Sequence, residues 1–426
     1  MKVFKNPSVA ECNAILKRPY NNVDAIESTV IQIFDDVKRQ GDNALKKYTA
    51  IFDGVDLNEF WVSPEDIEIA SENVSPDLKD AMTLAKSNIT KFHKSQSSEI
   101  KKIETSPGVI CWSEQRGIER VGLYIPGGTA PLFSTVLMLA IPAKLAGCKE
   151  IILFTPPKAD GSITNEILYA AKLCGVTKIV KLGGIQAIAA MTFGTASISK
   201  VNKIFGPGNQ FVTVAKQLAT KYNVAIDMPA GPSELLVYAD KSANPIYVAS
   251  DLLSQAEHGP DSQVVLVSPD CDLISEVKDQ LQIQIKKLSR QKIAEKALSN
   301  SKLLWVESQE EAIQIINEYA PEHLIVCATN EIEVCEKITN AGSVFVGNFS
   351  PESAGDYASG TNHTLPTNGF SKSYSGVNLS AFQKSISFQK LSKEGLLNIG
   401  KSIELMAEAE GLMGHKNAVS LRLKDI

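Results

Sequence analysis

The stretch VGLYIPGGTAPLFSTVLMLAIPAKLAGCKEIILFTP, residues 121 to 156, decides the fold class. Two short apolar runs, GLYIP and EIILFTP, each stop at a proline, and the longer segment STVLMLAIPAKLAG lies between them. Short apolar runs bounded by Gly and Pro read as strands, and longer ones as helices, so this is a strand, helix, strand unit. The alternation continues to Ala239. KIVKL, VNKIFG, NVAID and LLVYA are further strand candidates, with TNEILYAAKLCG, IQAIAAMTFG and NQFVTVAKQLATK as helices. Parallel strands need crossover connections, so the pattern predicts a parallel sheet covered by helices.

On the N-terminal side, AIESTVIQIFDDVKRQGDNALKKYTAIFDG and LKDAMTLAKSNITKFHKSQ carry apolar residues at three and four spacing and read as amphipathic packing helices. His93 closes the second among Lys and Ser, which predicts a solvated histidine and not a ligand. On the C-terminal side, YVASDLLSQAEH is a helix stopped by Gly259 and Pro260. QVVLVS, LLWV, HLIVCA and GSVFVG are strands of a further α/β portion. Residues 348 to 380 are rich in Ser, Gly, Asn and Thr without periodicity; so long a loop is expected to carry function. The end of the chain from Ser392 reads as amphipathic helix interrupted near Gly411 and Gly414.

Composition narrows the function. A chain of 426 residues with 44% hydrophobic content can build two or three cores. A net charge of -5 lacks the basic footprint of a nucleic-acid binder. The start, MKVFKNPSVAEC, has charge and a Pro where a signal peptide needs an apolar stretch. The longest apolar run, Val136 to Ala143, is broken by Pro142 and falls far short of the roughly 20 residues of a membrane span. The 7 cysteines form no CxxC pair, which fits reduced thiols in the cytoplasm. Cys111 or Cys327 could in principle form a thiohemiacetal with an aldehyde, but each reads better as a structural cysteine.

Ligands of parallel sheets gather where strands end and helices begin. Three turns suit close backbone approach: PGGTAP at 126 to 131, LGGIQ at 182 to 186 and FGPGNQ at 205 to 210. GPGNQF misses the GxGxxG fingerprint at its sixth position, so the turns alone indicate a phosphate-bearing ligand and not a particular dinucleotide.

There are 5 histidines, four of them in the second half beside acids, amides or glycine turns. Gln255 and His258, three apart, share one helix face, a spacing suited to joint metal coordination; the alternative is a histidine capping helix carbonyls. Asp356, His363 and His415, with Glu410 close to the last, complete a nitrogen and oxygen donor set that suits zinc, although each alone reads as surface polarity. Glu322 and His323, in YAPEHLIV, form an acid and imidazole dyad fit for proton transfer. Neighbours on a strand point to opposite faces, so the two can share a site only at a turn or helix start.

AGPSE (230 to 234), LLSQAEHGPDSQ (252 to 263), PEHL (321 to 324), SAGDYASGTNHTLPT (353 to 367) and EAEGLMGH (408 to 415) together resemble the histidinol dehydrogenase family, in order and spacing nearly end to end. The resemblance implies NAD-linked oxidation of L-histidinol through the aldehyde to L-histidine. It implies a zinc held by Gln255, His258, Asp356 and His415, the last from the neighbouring subunit of a homodimer. Glu322 and His323 would handle protons. Ser233, His363 and Glu410 would join the zinc ligands and His323 at the substrate, and Tyr124, Gln186 and Asn209 would line the NAD site. The expected architecture is α/β: two Rossmann-like parallel-sheet domains covered by helices, plus a small C-terminal helical dimerisation segment. The expected borders are an N-terminal segment 1–20, a substrate and metal domain from 21–123 and 233–377, an NAD domain 124–232 and a tail 378–426. Two competing readings are a dehydrogenase of the same scaffold acting on another amino alcohol or a sulfonated diol, and a metal-stabilised binding protein without catalysis.

Overall fold

The computed structural model describes residues 1–19, 23–127 and 132–426. The last four residues of the PGGTAP turn lie outside them. The strands are β1 (Lys2–Lys5), β2 (Ile103–Ser106), β3 (Val109–Gly117), β4 (Arg120–Tyr124), β5 (Glu150–Thr155), β6 (Lys178–Lys181), β7 (Lys203–Phe205), β8 (Ala225–Ile226), β9 (Glu234–Ala239), β10 (Gln263–Ser268), β11 (Lys302–Trp305), β12 (His323–Cys327), β13 (Ser343–Val346) and β14 (Gln383–Leu391).

Five of the six strands read from 121 to 239 form one parallel sheet in the order β6-β5-β4-β7-β8. The helices Phe133–Leu145, Asn165–Cys174, Gly184–Phe193 and Gln210–Thr220 make its crossovers. The sixth, β9, leaves this sheet to become an inner strand of a second parallel sheet, β1-β11-β10-β9-β12-β13. β9 to β12 carry unbroken apolar runs because helices cover both faces. Among the described residues no helix is long and apolar enough to cross a membrane.

Residues 21–123 were expected to join the second sheet; their described helices instead cover the first. Ile33, Phe34 and Leu45 share a core with Ile188 and Val212, and Met82 and Ile89 share one with Leu137 and Leu153. An amphipathic stripe is complementary to any apolar surface, so periodicity gives the stripe and not its partner. His93 also departs from expectation. It is fully buried, with Nδ1 3.2 Å from Gln96 Oε1 and Nε2 3.4 Å from Asn362 Nδ2, because it continues the buried face Met82, Ala85, Ile89. Cys327 is buried, whereas Cys111 is only partly covered; all seven cysteines are free.

The tail is not wholly helical. β14 pairs antiparallel with β3, from Gln383 opposite Gly117 to Leu391 opposite Val109, and with β2 makes a small third sheet. Its two central apolar residues, Ile386 and Phe388, sit between polar neighbours, so the alternation is too short to stand out. The helices Lys393–Ala409 and Met413–Lys424 then pack against each other.

Candidate active site

In the first sheet, β4 runs out to β5 and β6 and the chain then returns to place β7 beside β4, which makes a switch point at the carboxyl ends of β4 and β7. There Gly206 has φ 124°, and a Cβ on it would run into the Tyr124 carbonyl oxygen, so only glycine fits. The turn is held from below by a buried ion pair. Lys216 Nζ lies 2.5 Å from Asp227 Oδ1 and donates to Gly206 O at 2.7 Å, while Gly206 N donates to Asp227 Oδ2 at 2.8 Å. Asn209 caps the helix Gln210–Thr220 by accepting from Val212 N at 3.1 Å.

The second sheet meets the same cleft with its amino ends. Ser233 and Glu234 open β9, and His323 opens β12. The helix Gln309–Tyr319 ends at Ala320 in the left-handed region, φ 50°, and the chain turns through Pro321 to Glu322. Glu322 therefore lies on a turn and His323 on the first strand residue, which lets adjacent residues face one site. Glu322 Oε2 is 3.6 Å from His323 Nδ1. Between the two sheets is a cavity of about 970 Å3 whose wall includes Asn209, Ser233, His258, Glu322, His323, Asp356 and His363. That volume suits a small substrate together with the reacting end of a cofactor.

Behind the cavity wall, against His323, lies Gln255, fully buried near the end of the helix Pro245–Ala256. Its Nε2 donates to Glu234 O at 3.2 Å and is 3.2 Å from His323 Nδ1, which leaves Oε1 as a buried oxygen without a partner among the described residues. His323 Nε2 and Glu352 Oε2 are likewise buried and without a partner among the described residues. Unsatisfied buried polar atoms are rare, and a cluster of them around His323, at the cavity wall, indicates a site for an ion or ligand. His323, Glu352 and Asp356 bring ligand atoms within 4.8 Å of one another. These residues fit a divalent cation: an amide oxygen, imidazole nitrogens and carboxylates are the donors zinc accepts.

Charge in the site is strongly coupled. Burial disfavours a charge on His323, but Glu352, Glu322 and Asp356 outweigh it and raise the pKa to about 10. Burial pushes the Glu352 carboxyl well above the usual carboxylate range. His363 is held below the ordinary histidine pKa by burial; it donates from Nδ1 to Asp356 O at 2.9 Å, and its Nε2 is 3.1 Å from Thr135 Oγ1. His258 is exposed at its outer face, yet its setting in the cavity wall and the nearby His323 and His363 hold its pKa below the ordinary value against the pull of Asp356.

The structure thus brings Ser233, His258, Glu322, His323, Asp356, His363 and Asn209 to one cavity, with Gln255 against His323 behind its wall. It does not bring the other predicted residues to the cavity. Tyr124 and Gln186 are buried in the core of the first sheet: Tyr124 Oη accepts from Gly184 N at 3.0 Å, and Gln186 Nε2 donates to Asp53 Oδ2 at 3.3 Å. Glu410 and His415 are exposed on the C-terminal helices and do not line the cavity. Sequence reasoning missed Glu352. Its signal was the four-residue spacing to Asp356, which places both carboxylates on one face of the helix Glu352–Tyr357.

The family model for histidinol dehydrogenase matches residues 16–423. The chain belongs to the histidinol dehydrogenase family. It is 56% identical over 426 residues to the histidinol dehydrogenase of Bacteroides thetaiotaomicron, with 100% of both chains covered. It is 51% identical to that of Salmonella typhimurium, covering 96% of this chain and 94% of the relative. The crystal structure of histidinol dehydrogenase from Elizabethkingia anophelis superposes with a TM-score of 0.98 at 54% identity, covering 100% of this chain and 98% of that one. The chain is accordingly a zinc-dependent, NAD-linked oxidoreductase that converts L-histidinol to L-histidine, the last steps of histidine biosynthesis. A binding protein without catalysis is no longer a competing reading.

Proposed function

We propose that Glu322 and His323 handle the protons of the two oxidations, and that Gln255, His258 and Asp356 hold the zinc together with His415 from a second copy of the chain. The observation that carries this reading is the clustering of Gln255 and Asp356 about His323, with Gln255 Oε1 and His323 Nε2 buried and without a partner among the described residues. When bound, zinc supplies a positive charge that offsets the carboxylates around His323 and a chelating point for the imidazole and amine nitrogens of histidinol.

Of the groups within hydrogen-bond reach of His323 Nδ1, the Glu234 carbonyl accepts, and with Nδ1 donating to it the neutral ring keeps its lone pair on Nε2. His323 Nε2 accepts the hydroxyl proton of histidinol as hydride leaves for NAD, giving the aldehyde. Glu322 then accepts a proton from water as it adds to the aldehyde. The hydrate loses a second hydride to a second NAD, and the carboxylate product remains. Holding the aldehyde in the cavity throughout keeps a reactive intermediate from solution. Ser233 and His363 contact substrate from the same cavity wall. Asn209, and through it the turn 206–209, serves the NAD end with Tyr124 and Gln186 behind it.

A homodimer supplies Glu410 and His415, which this chain's own cavity lacks. The β9 to β13 portion is the substrate and metal region, the β4 to β8 portion the NAD region, and a cytoplasmic location fits seven free cysteines.

The test separates the two half-reactions. Glu322→Gln should slow oxidation of L-histidinal about 100-fold or more while sparing oxidation of L-histidinol, and His323→Asn should impair both. Small, equal effects would overturn the assignment. Mixing Gln255→Ala with His415→Ala subunits should restore activity that neither variant has alone; no restoration would exclude a site shared between chains.

A further inference from the structure

Glu234 joins the active site to a part of the chain that lies outside it. Its main-chain N–H donates to Glu322 Oε2 at 2.8 Å. Its carbonyl oxygen accepts from Gln255 Nε2 at 3.2 Å and lies 3.2 Å from His323 Nδ1. One peptide unit on either side of a single Cα therefore fixes three residues of the site. The side chain of the same residue is a carboxylate, 2% exposed. Arg18 grips it with two prongs, Nε at 2.5 Å and Nη2 at 2.9 Å, and Asn368 N donates to it at 2.8 Å.

Arg18 also controls the approach to Glu322 along the chain. Its Nη2 donates to the Tyr319 carbonyl at 2.7 Å, and its guanidinium carbon is 4.1 Å from the Tyr319 ring centroid. Tyr319 ends its helix, Ala320 takes the left-handed conformation, and Glu322 follows two residues later. A residue of the N-terminal segment thus fastens both the strand that hydrogen-bonds the dyad and the turn that carries it. Arg18 does not line the substrate cavity. It lines a separate one of about 510 Å3 with Cys12, Lys17, Glu318 and Lys372.

We propose that Arg18, acting through Glu234, is a positioning residue that sets the placement of Glu322 and His323. The proposal rests on the reading of those two as the proton-handling pair. Removing one partner of a buried ion pair leaves the other uncompensated. Glu234 must then turn or take up a proton, and either response disturbs the main-chain groups that hold Glu322, Gln255 and His323. Misplacing a reacting group by about 1 Å can cost about 100-fold in rate.

The experiment compares Arg18→Met and Arg18→Lys with the parent and with Glu322→Gln, each as the zinc-loaded full chain. The alcohol and aldehyde half-reactions are followed separately, with zinc content and thermal melts. Arg18→Met should lower kcat for L-histidinal by about 10- to 100-fold with KM for NAD nearly unchanged and zinc retained. Guanidinium at millimolar concentration, supplied through the Arg18 cavity, should restore part of that loss. Arg18→Lys keeps the charge but not the fork, and should lie between Met and parent. A folded, zinc-loaded Arg18→Met with parental kcat in both half-reactions overturns the proposal, as does a loss untouched by guanidinium. If Arg18→Met does not fold, parental kcat in Arg18→Lys overturns it. An unimpaired Glu322→Gln removes the dyad assignment and this proposal with it; an impaired Glu322→Gln beside an unimpaired Arg18→Met removes the proposal alone.

Discussion

Nε2 of His323 lies 3.8 Å from Oδ1 of Asp356 and has no hydrogen-bond partner among the described residues. The imidazole is pinned on its other nitrogen by the Glu234 carbonyl, so the free nitrogen faces the cavity with a fixed orientation. A base that must accept a proton from a bound alcohol needs that arrangement before the substrate arrives.

Gln255 offers a buried amide oxygen and nothing else to a cation, since its nitrogen is already engaged. Gln255→Ala should therefore lower zinc affinity by about 10- to 100-fold, read as metal content after dialysis against a graded chelator. Parental metal retention would remove Gln255 from the donor set.

The raised pKa of His323 makes the metal-free protein sensitive to alkali. Its unfolded value is about 6.5 and its folded value about 10, because Glu352, Glu322 and Asp356 outweigh burial. Between those values the folded state keeps a proton that the unfolded chain has lost. The stabilisation is complete below about pH 6.5 and disappears as pH rises through about 10. Chelator-treated protein should melt at falling temperatures from pH 7 to pH 10, and His323→Asn should flatten that slope. An identical slope in the variant would contradict the assignment.

Glu352 Oε1 is 3.8 Å from His323 Nδ1, and its charge is the largest single pull that raises the His323 pKa. Glu352→Gln in the zinc-loaded enzyme should move the acid limb of the kcat profile for L-histidinol to lower pH by about one unit. A stationary limb would mean that another group titrates there.

Lys216 and Asp227 are 3% and 1% exposed, and their pair underlies the turn 206–209. Lys216→Met should cost about 3–5 kcal/mol of stability in denaturant titrations, since it strands a buried carboxylate. It should also raise KM for NAD more than KM for histidinol. A change confined to histidinol would place the turn at the wrong ligand.

What the sequence disclosed follows from how local each signal is. β4 to β9 and their helices were legible because each strand is a short apolar run stopped by Gly or Pro. The departure of β9 to another sheet was not, since Leu235 to Ala239 are as apolar as the strands before them. Gln255 and His258 were expected on one helix face, but the helix ends at Ala256 and His258 falls in the turn beyond it; choosing an amide as a ligand required the family resemblance. Glu352 stayed hidden because a buried carboxylate has no sequence mark apart from its spacing to Asp356. Arg18 lies 216 residues from Glu234, and no local pattern reports such a partner.

The two sheets meet the cavity with opposite ends, and so do their helices. The first sheet aims helix amino termini at it, including the one capped by Asn209, while the second aims carboxyl termini, those of Pro245–Ala256 and Gln309–Tyr319. Helix macrodipoles give the former a partial positive end and the latter a partial negative one. The backbone alone thus polarises the cleft: anionic phosphates are favoured on one wall, and the metal cation with the substrate ammonium on the other. Anions and cations are sorted to opposite walls by field before any side chain selects them.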